Sequence, residues 1–176
     1  WSPSISADGR YVVFASQAPD LVSPPLTSGR AHIYAYDRQT KLMKQISVGF
    51  DGSEADASST EPMISADGRV IVFTSKASNL TALVDNNGVS DVFAANNPWV
   101  GGPLAPSVVE VSRINAGVGN NSSQEPSVSA DGTAIAFSSD ATNLGDPQDL
   151  ADTNGVRDIY VWRWQAGVTT HRISLG

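Results

Sequence analysis

Pro62-Met-Ile-Ser-Ala-Asp-Gly-Arg-Val-Ile-Val-Phe-Thr-Ser75 decides the fold, because the chain contains it three times. Pro3-Ser-Ile-Ser-Ala-Asp-Gly-Arg-Tyr-Val-Val-Phe-Ala-Ser16 precedes it, and Pro126-Ser-Val-Ser-Ala-Asp-Gly-Thr-Ala-Ile-Ala-Phe-Ser-Ser139 follows it. The copies start 59 and 64 residues apart and align without a gap. A repeat of this length is a supersecondary unit that buries its core against its neighbours.

Each copy continues with the same landmarks. A polar link ends in Asn79-Leu80 and Asn143-Leu144, with Asp20-Leu21 in the first copy. An apolar run follows: His32-Ile-Tyr-Ala-Tyr36, Asp91-Val-Phe-Ala-Ala95, Asp158-Ile-Tyr-Val-Trp162. A last short run is Gln45-Ile-Ser-Val48, Glu110-Val-Ser-Arg113, Arg172-Ile-Ser-Leu175. These runs predict four short strands per copy. The first two are joined at Asp-Gly, which suits a tight hairpin. No segment of helical length has a 3.6-residue apolar period. Regular four-stranded units are the signature of propeller blades. The expectation is an all-β chain of three four-stranded antiparallel β-propeller blades, over about 1–60, 61–124 and 125–176, forming half or a fragment of a larger propeller. Val12, Phe14, Ile71, Phe73, Ile135 and Phe137 carry the alternation of a packed sheet. Because the chain opens at Trp1, already inside a repeat, it reads as a processed product or part of something longer.

Pro-x-(Ile/Val)-Ser-Ala-Asp-Gly, the Phe-x-Ser strand and Asp-(Ile/Val)-(Tyr/Phe) together resemble the WD-like repeat of TolB-type propellers. The resemblance covers almost the whole chain. It also extends to bacterial tandem-repeat proteins with Asn-Leu…Asp-x-Asn-Gly-x-x-Asp. It implies a scaffold or binding module in an extracytoplasmic setting, and it does not specify a ligand.

Composition narrows the function. Charged residues make up 16% of the chain and the net charge is -7. Without a basic cluster, nucleic acid and anionic membrane are poor partners. No apolar run is long enough to span a membrane. The absence of cysteine excludes disulfides, thiolate metal sites and cysteine nucleophiles. His32 and His171, on different strands, suggest neither a Ser–His–Asp set nor a zinc site.

Two loops suggest a cation. Asp85-Asn-Asn-Gly-Val-Ser-Asp91 and Asp152-Thr-Asn-Gly-Val-Arg-Asp158 place oxygen side chains at their first, third and seventh positions. Asp85, Asn87, Asp91 and the Val89 carbonyl can supply the oxygens that Ca²⁺ prefers, as can Asp152, Asn154, Asp158 and the Val156 carbonyl. The alternative is a plain Asn-Gly turn with the final Asp starting a strand. The first copy has Pro24-Pro-Leu-Thr-Ser-Gly-Arg-Ala31 there and no acidic set.

Glu61 and Glu125 precede the repeat prolines, where the first copy has Ser2. The innermost strand of a blade starts there, so two carboxylates can form an acidic ring for a cation or cationic ligand. Solvation at a loop end is the alternative. Asp8, Asp67 and Asp131, with Ser6, Ser65 and Ser129, read as turn-forming residues. Trp99, Trp162 and Trp164 read as blade packing, with stacking on a sugar or partner as the rival use. Asn79-Leu-Thr81 and Asn121-Ser-Ser123 fit the glycosylation sequon.

The expected function is therefore a non-enzymatic propeller scaffold or binding module, with bound calcium as a stabiliser. Self-association or further blades would close the ring, and a protein or carbohydrate partner is compatible. The alternative is the propeller part of a larger hydrolase or peptidase whose catalytic domain lies outside this chain. Catalysis by a Glu61–Glu125 pair is the third option, since glycoside hydrolysis needs paired carboxylates.

Overall fold

The computed structural model describes residues 1–83, 85–104, 107–114, 117–144, 154–164 and 169–174. Among these residues there is no helix. Ser4–Ile5 (β1), Tyr11–Ser16 (β2), His32–Asp37 (β3) and Leu42–Gln45 (β4) form the first sheet. Ser59–Ile64 (β5), Val70–Ser75 (β6), Asp91–Asn96 (β7) and Val108–Glu110 (β8) form the second. A small hairpin of Arg113–Ile114 (β9) and Gly117–Val118 (β10) follows. Ser123–Val128 (β11), Ala134–Ser139 (β12), Asp158–Arg163 (β13) and Thr169–Arg172 (β14) form the third sheet. All three are antiparallel meanders, so the three-blade expectation holds.

The turn between the first two strands has one design in every copy. Ser6 Oγ donates to Asp8 Oδ1 at 2.6 Å and accepts the Tyr11 amide at 3.0 Å. Ser65 does the same with Asp67 and Val70, and Ser129 with Asp131 and Ala134. Asp8 and Asp67 accept the amides of Arg10 and Arg69, as Asp131 accepts that of Thr133. These contacts hold Asp8 and Asp131 below the ordinary carboxylate range, Asp131 at about 2. The triplicated Ser and Asp are therefore turn hardware.

The turn glycines have a second task. Gly68 and Gly132 lie at φ of 74° and 71°, where a side chain is disfavoured. A Cβ on Gly68 would also meet Tyr11 Cδ2 at 2.9 Å, and one on Gly132 would meet Val70 Cγ2 at 2.6 Å. Each turn thus rests against the second strand of the preceding sheet.

Alternation along β2, β6 and β12 sets the packing. Tyr11, Val13 and Ala15 face forward to meet Ile71 and Phe73, which face back; Ile33, Phe93 and Ala95 join the same core. Val70 and Val72 face forward to meet Ile135 and Phe137, with Tyr160 and Trp162. Every residue of β6 is buried, because the second sheet is covered on both sides. In β2 every second residue is only half-buried, Val12 and Phe14 among them. Among the described residues the first and third sheets have no core in common, so one face of each lacks a neighbouring sheet.

The fourth strand departs from expectation. The runs Gln45–Val48 and Glu110–Arg113 begin where β4 and β8 end, and Arg172 closes β14. The apolar residue after each strand still bonds to the third strand, as Ile46 N–H does to the Ile33 carbonyl at 2.7 Å. The serine hydroxyl then replaces the backbone as acceptor: Ser47, Ser112 and Ser174 each take an amide of the third strand at 2.9 Å. The outermost strand has solvent on one face, so Leu42–Gln45 alternates between exposed and half-buried and carries no apolar run.

Candidate functional site

The first residue of the third strand and the last residue of the fourth occupy one place in all three sheets. The pairs are His32 with Gln45, Asp91 with Glu110, and Asp158 with Arg172. The register matches, with Gln45 opposite Tyr34, Glu110 opposite Phe93 and Arg172 opposite Tyr160.

In the first sheet the pair is satisfied. The Gln45 amide contacts His32 Nδ1 at 3.1 Å, and His32 Nε2 lies 2.9 Å from Glu54 Oε1. Ser28 Oγ donates to the same Glu54 oxygen, and this bond holds the Glu54 carboxyl below its ordinary range. Ser28, His32 and Glu54 do not form a nucleophile relay. Ser28 and Glu54 meet the same ring nitrogen, whereas a relay needs nucleophile and acid on opposite nitrogens.

In the third sheet the pair is an ion pair. Arg172 Nη1 lies 3.2 Å from Asp158 Oδ2, and Ser174 Oγ donates to Asp158 Oδ1 at 2.5 Å. Of the other expected third-copy ligands, Asp152 lies outside the described residues. Asn154 Oδ1 accepts the Val156 amide at 3.0 Å, closing the turn.

In the second sheet the pair is two acids. Asp91 Oδ1 accepts from Ser112 Oγ at 2.8 Å, and Oδ2 from Asn87 Nδ2 at 3.3 Å. Burial nevertheless pushes Asp91 up to about 6. Glu110 is 2% exposed, and neither of its carboxylate oxygens has a hydrogen-bond partner. Burial first, then the charges of Asp91 and Asp85, push Glu110 up to about 8. Asp85 is raised as well, mainly by burial, and accepts the Asn87 amide at 3.2 Å. Asn87 is a brace: its Oδ1 accepts the Val89 amide at 2.9 Å and its Nδ2 donates to the Gly119 carbonyl at 2.8 Å. Among the described residues, no three acidic or histidine side chains are gathered closely enough to hold a metal as they stand. The sequence reading missed Glu110. Its signal was the repeat column Gln45, Glu110, Arg172, whose neighbour across the sheet only the strand register reveals.

Glu61 and Glu125 sit at β-bulges, at φ of 54° and 57°, and Ser2 has the same conformation at 53°. Glu61 Oε2 accepts from Thr74 Oγ1 at 2.7 Å and from the Glu125 amide at 3.0 Å. Glu125 Oε2 accepts from Ser138 Oγ at 2.9 Å. The two residues are thus brought together across the blade boundary, by a carboxylate-to-amide bond.

Trp99, Trp162 and Trp164 pack. Trp162 is 1% exposed and Trp164 leans on it, while Trp99 stacks on Tyr11 with ring centroids 6.0 Å apart. The Asn79 side chain braces the preceding loop, donating to the Glu54 carbonyl at 3.0 Å and accepting the Asp56 amide at 3.1 Å. That use competes with glycosylation at Asn79, whereas Asn121 is exposed. A groove between the first two sheets is walled by Ile46, Phe50, Leu80, Pro98 and Val108.

No protein-family model matches the sequence, and no curated protein matches it either. Solved structures do match the fold. TolB from Acinetobacter baumannii aligns with a TM-score of 0.50 and 18% identity, over 97% of this chain and 31% of that one. A putative TolB from Agrobacterium tumefaciens aligns at 0.52 and 16%, over 95% of this chain and 47% of that one. The tricorn protease aligns at 0.54 and 13%, over 93% of this chain and 13% of that one. The fold is that of the β-propellers, with a likeness to the TolB type. This chain holds three blades of such a fold and spans less than half the length of the TolB chains it matches.

Proposed function

We propose that this chain is a non-enzymatic β-propeller segment, a scaffold or binding module that works outside the cytoplasm. The observation that carries the proposal is what the repeated polar side chains do. The Ser–Asp turns, the inner Glu61 and Glu125 and the serines after the fourth strands all hold backbone or blade contacts. A side chain that braces the frame is poorly placed to change protonation state during a reaction. Binding falls to the surfaces between and beyond the blades, and further blades close the ring. Incubation with peptide and glycoside substrates tests the reading, with no turnover expected. Cleavage that disappears in Glu61→Gln or Glu125→Gln would refute it. Sedimentation at micromolar concentration tests the need for further blades: self-association is expected, and a stable, compact monomer argues against it.

A second reading has one observation in its favour, the fold likeness to the tricorn protease, of which this chain matches 13%. In that reading the blades belong to a larger hydrolase and its catalytic groups lie elsewhere in the polypeptide. The intact mass and sequence of the native polypeptide decide between the two.

A further inference from the structure

We propose that the second blade holds a single Ca²⁺, with Glu110 as a ligand beside Asp91 and Asp85, and that the third blade holds none because Arg172 already fills the equivalent place.

Three copies of one site differ in how their polar pair is satisfied. At the start of the third strand His32, Asp91 and Asp158 are buried in every blade; their fourth-strand neighbours Gln45 and Arg172 are half-buried, and Glu110 is buried. A buried polar group needs a partner of matching character. His32 and Gln45 meet each other at 3.1 Å. Asp158 has the guanidinium of Arg172 at 3.2 Å. Asp91 and Glu110 are both acids, and no hydrogen bond joins them. Both oxygens of Glu110 are shut off from solvent with nothing bonded to them. A buried carboxylate in that condition is costly unless a positive charge or a proton reaches it.

The chemistry of the surroundings selects the cation. All three acids offer hard oxygen donors, there is no cysteine in the chain, and the only histidine at this repeat position is His32 in another blade. Oxygen-only sets favour Ca²⁺ or Mg²⁺ over zinc or copper. Ca²⁺ tolerates irregular geometry and takes backbone carbonyls as extra ligands, which the 85–91 loop can provide. Among the described residues no three acids lie close enough to hold a metal as they stand, so binding requires Glu110 and Asp91 to swing toward one point. Burial makes a cationic side chain from a partner a poor occupant, because Glu110 is only 2% exposed. Arg113 is the cation whose charge acts on Glu110, and it leaves both oxygens without a hydrogen bond.

The test is titration of chelator-treated 176-residue chain with CaCl₂, read by calorimetry and by melting temperature. One ion per chain and a rise in melting temperature are expected. Glu110→Gln, which copies Gln45 of the first blade, should weaken binding at least roughly tenfold. Glu110→Arg, which copies the third blade, should abolish the response and melt above the metal-free wild type. Asp152→Asn should bind as the wild type does. Absence of binding to the wild type overturns the proposal. So does undiminished binding by the Glu110 variants, a stoichiometry of two, or loss of binding in Asp152→Asn. Melting of each metal-free variant shows that it is folded. The result is independent of whether the propeller is a scaffold or part of an enzyme.

Discussion

The Glu61 carboxylate of the second blade accepts the backbone amide of Glu125 in the third, at 3.0 Å. The same oxygen accepts the Thr74 hydroxyl at 2.7 Å, so one side chain ties its own second strand to the next blade's first. Hydrogen bonds to an ionised acceptor exceed neutral ones in strength. Glu61→Ala keeps the backbone conformation equally strained and removes both bonds, and should cost about 1–2 kcal/mol in chemical denaturation. A loss indistinguishable from zero would show that water replaces the carboxylate without penalty.

Gly68 and Gly132 should tolerate alanine worse than Gly9. All three lie at positive φ, which costs a side chain about 1–3 kcal/mol. At Gly68 and Gly132 the new methyl also strikes Tyr11 and Val70 of the preceding blade. At Gly9 it meets only Arg38 at 3.5 Å and Ile5 at 4.0 Å. Equal losses in all three variants, measured by urea midpoints, would mean that another blade covers the first one.

Phe73→Ala and Phe14→Ala report the same asymmetry from the core. Phe73 is fully buried between the first two sheets and stacks on Phe93 with centroids 5.8 Å apart. Its truncation should cost ~3–5 kcal/mol. Phe14 stacks on Tyr34 at 5.9 Å but is half-buried on a face uncovered in the single chain, and its truncation should cost clearly less in the dissociated protein. The comparison is made by calorimetric or urea unfolding of both variants at one protein concentration.

Arg10 grips Asp37 with two bonds, Nε to Oδ1 at 3.1 Å and Nη2 to Oδ2 at 2.9 Å. The guanidinium holds the Asp37 carboxyl well below its ordinary range. A depressed carboxylate contributes stability above its unfolded value, and that contribution disappears as pH falls through the folded value. Asp37→Asn should therefore be less stable at pH 7. It should also lose less stability than the wild type as pH falls below about 4. Unfolding midpoints measured from neutral to strongly acidic pH check both parts.

Much of the fold is legible in the sequence because its causes are local. The Ser-x-Asp-Gly turn bonds within six residues, and the alternation in Val70–Ser75 needs only the two-residue period of a strand. The fourth strand was less legible. At Leu42–Gln45 the outer edge has no apolar face, so the apolar residues that attract attention, Ile46 among them, come just after the strand. The 85–91 loop stood out by its oxygen spacing, yet Asn87 turned out to brace the loop with both ends of its amide.

By itself the sequence determined three all-β repeats, their turns and the alternation along their strands, since a repeat pattern and strand periodicity are properties of the chain read in order. Tertiary structure decided the character of the site. Glu110 acquires meaning only beside Asp91, nineteen residues earlier in the chain, after antiparallel pairing sets β8 beside β7 with Glu110 opposite Phe93, two residues from Asp91. The same pairing gives Asp158 an arginine and His32 a glutamine. Whether a buried acid is neutralised depends on what lies across the sheet, and distance in space, not in sequence, sets that interaction.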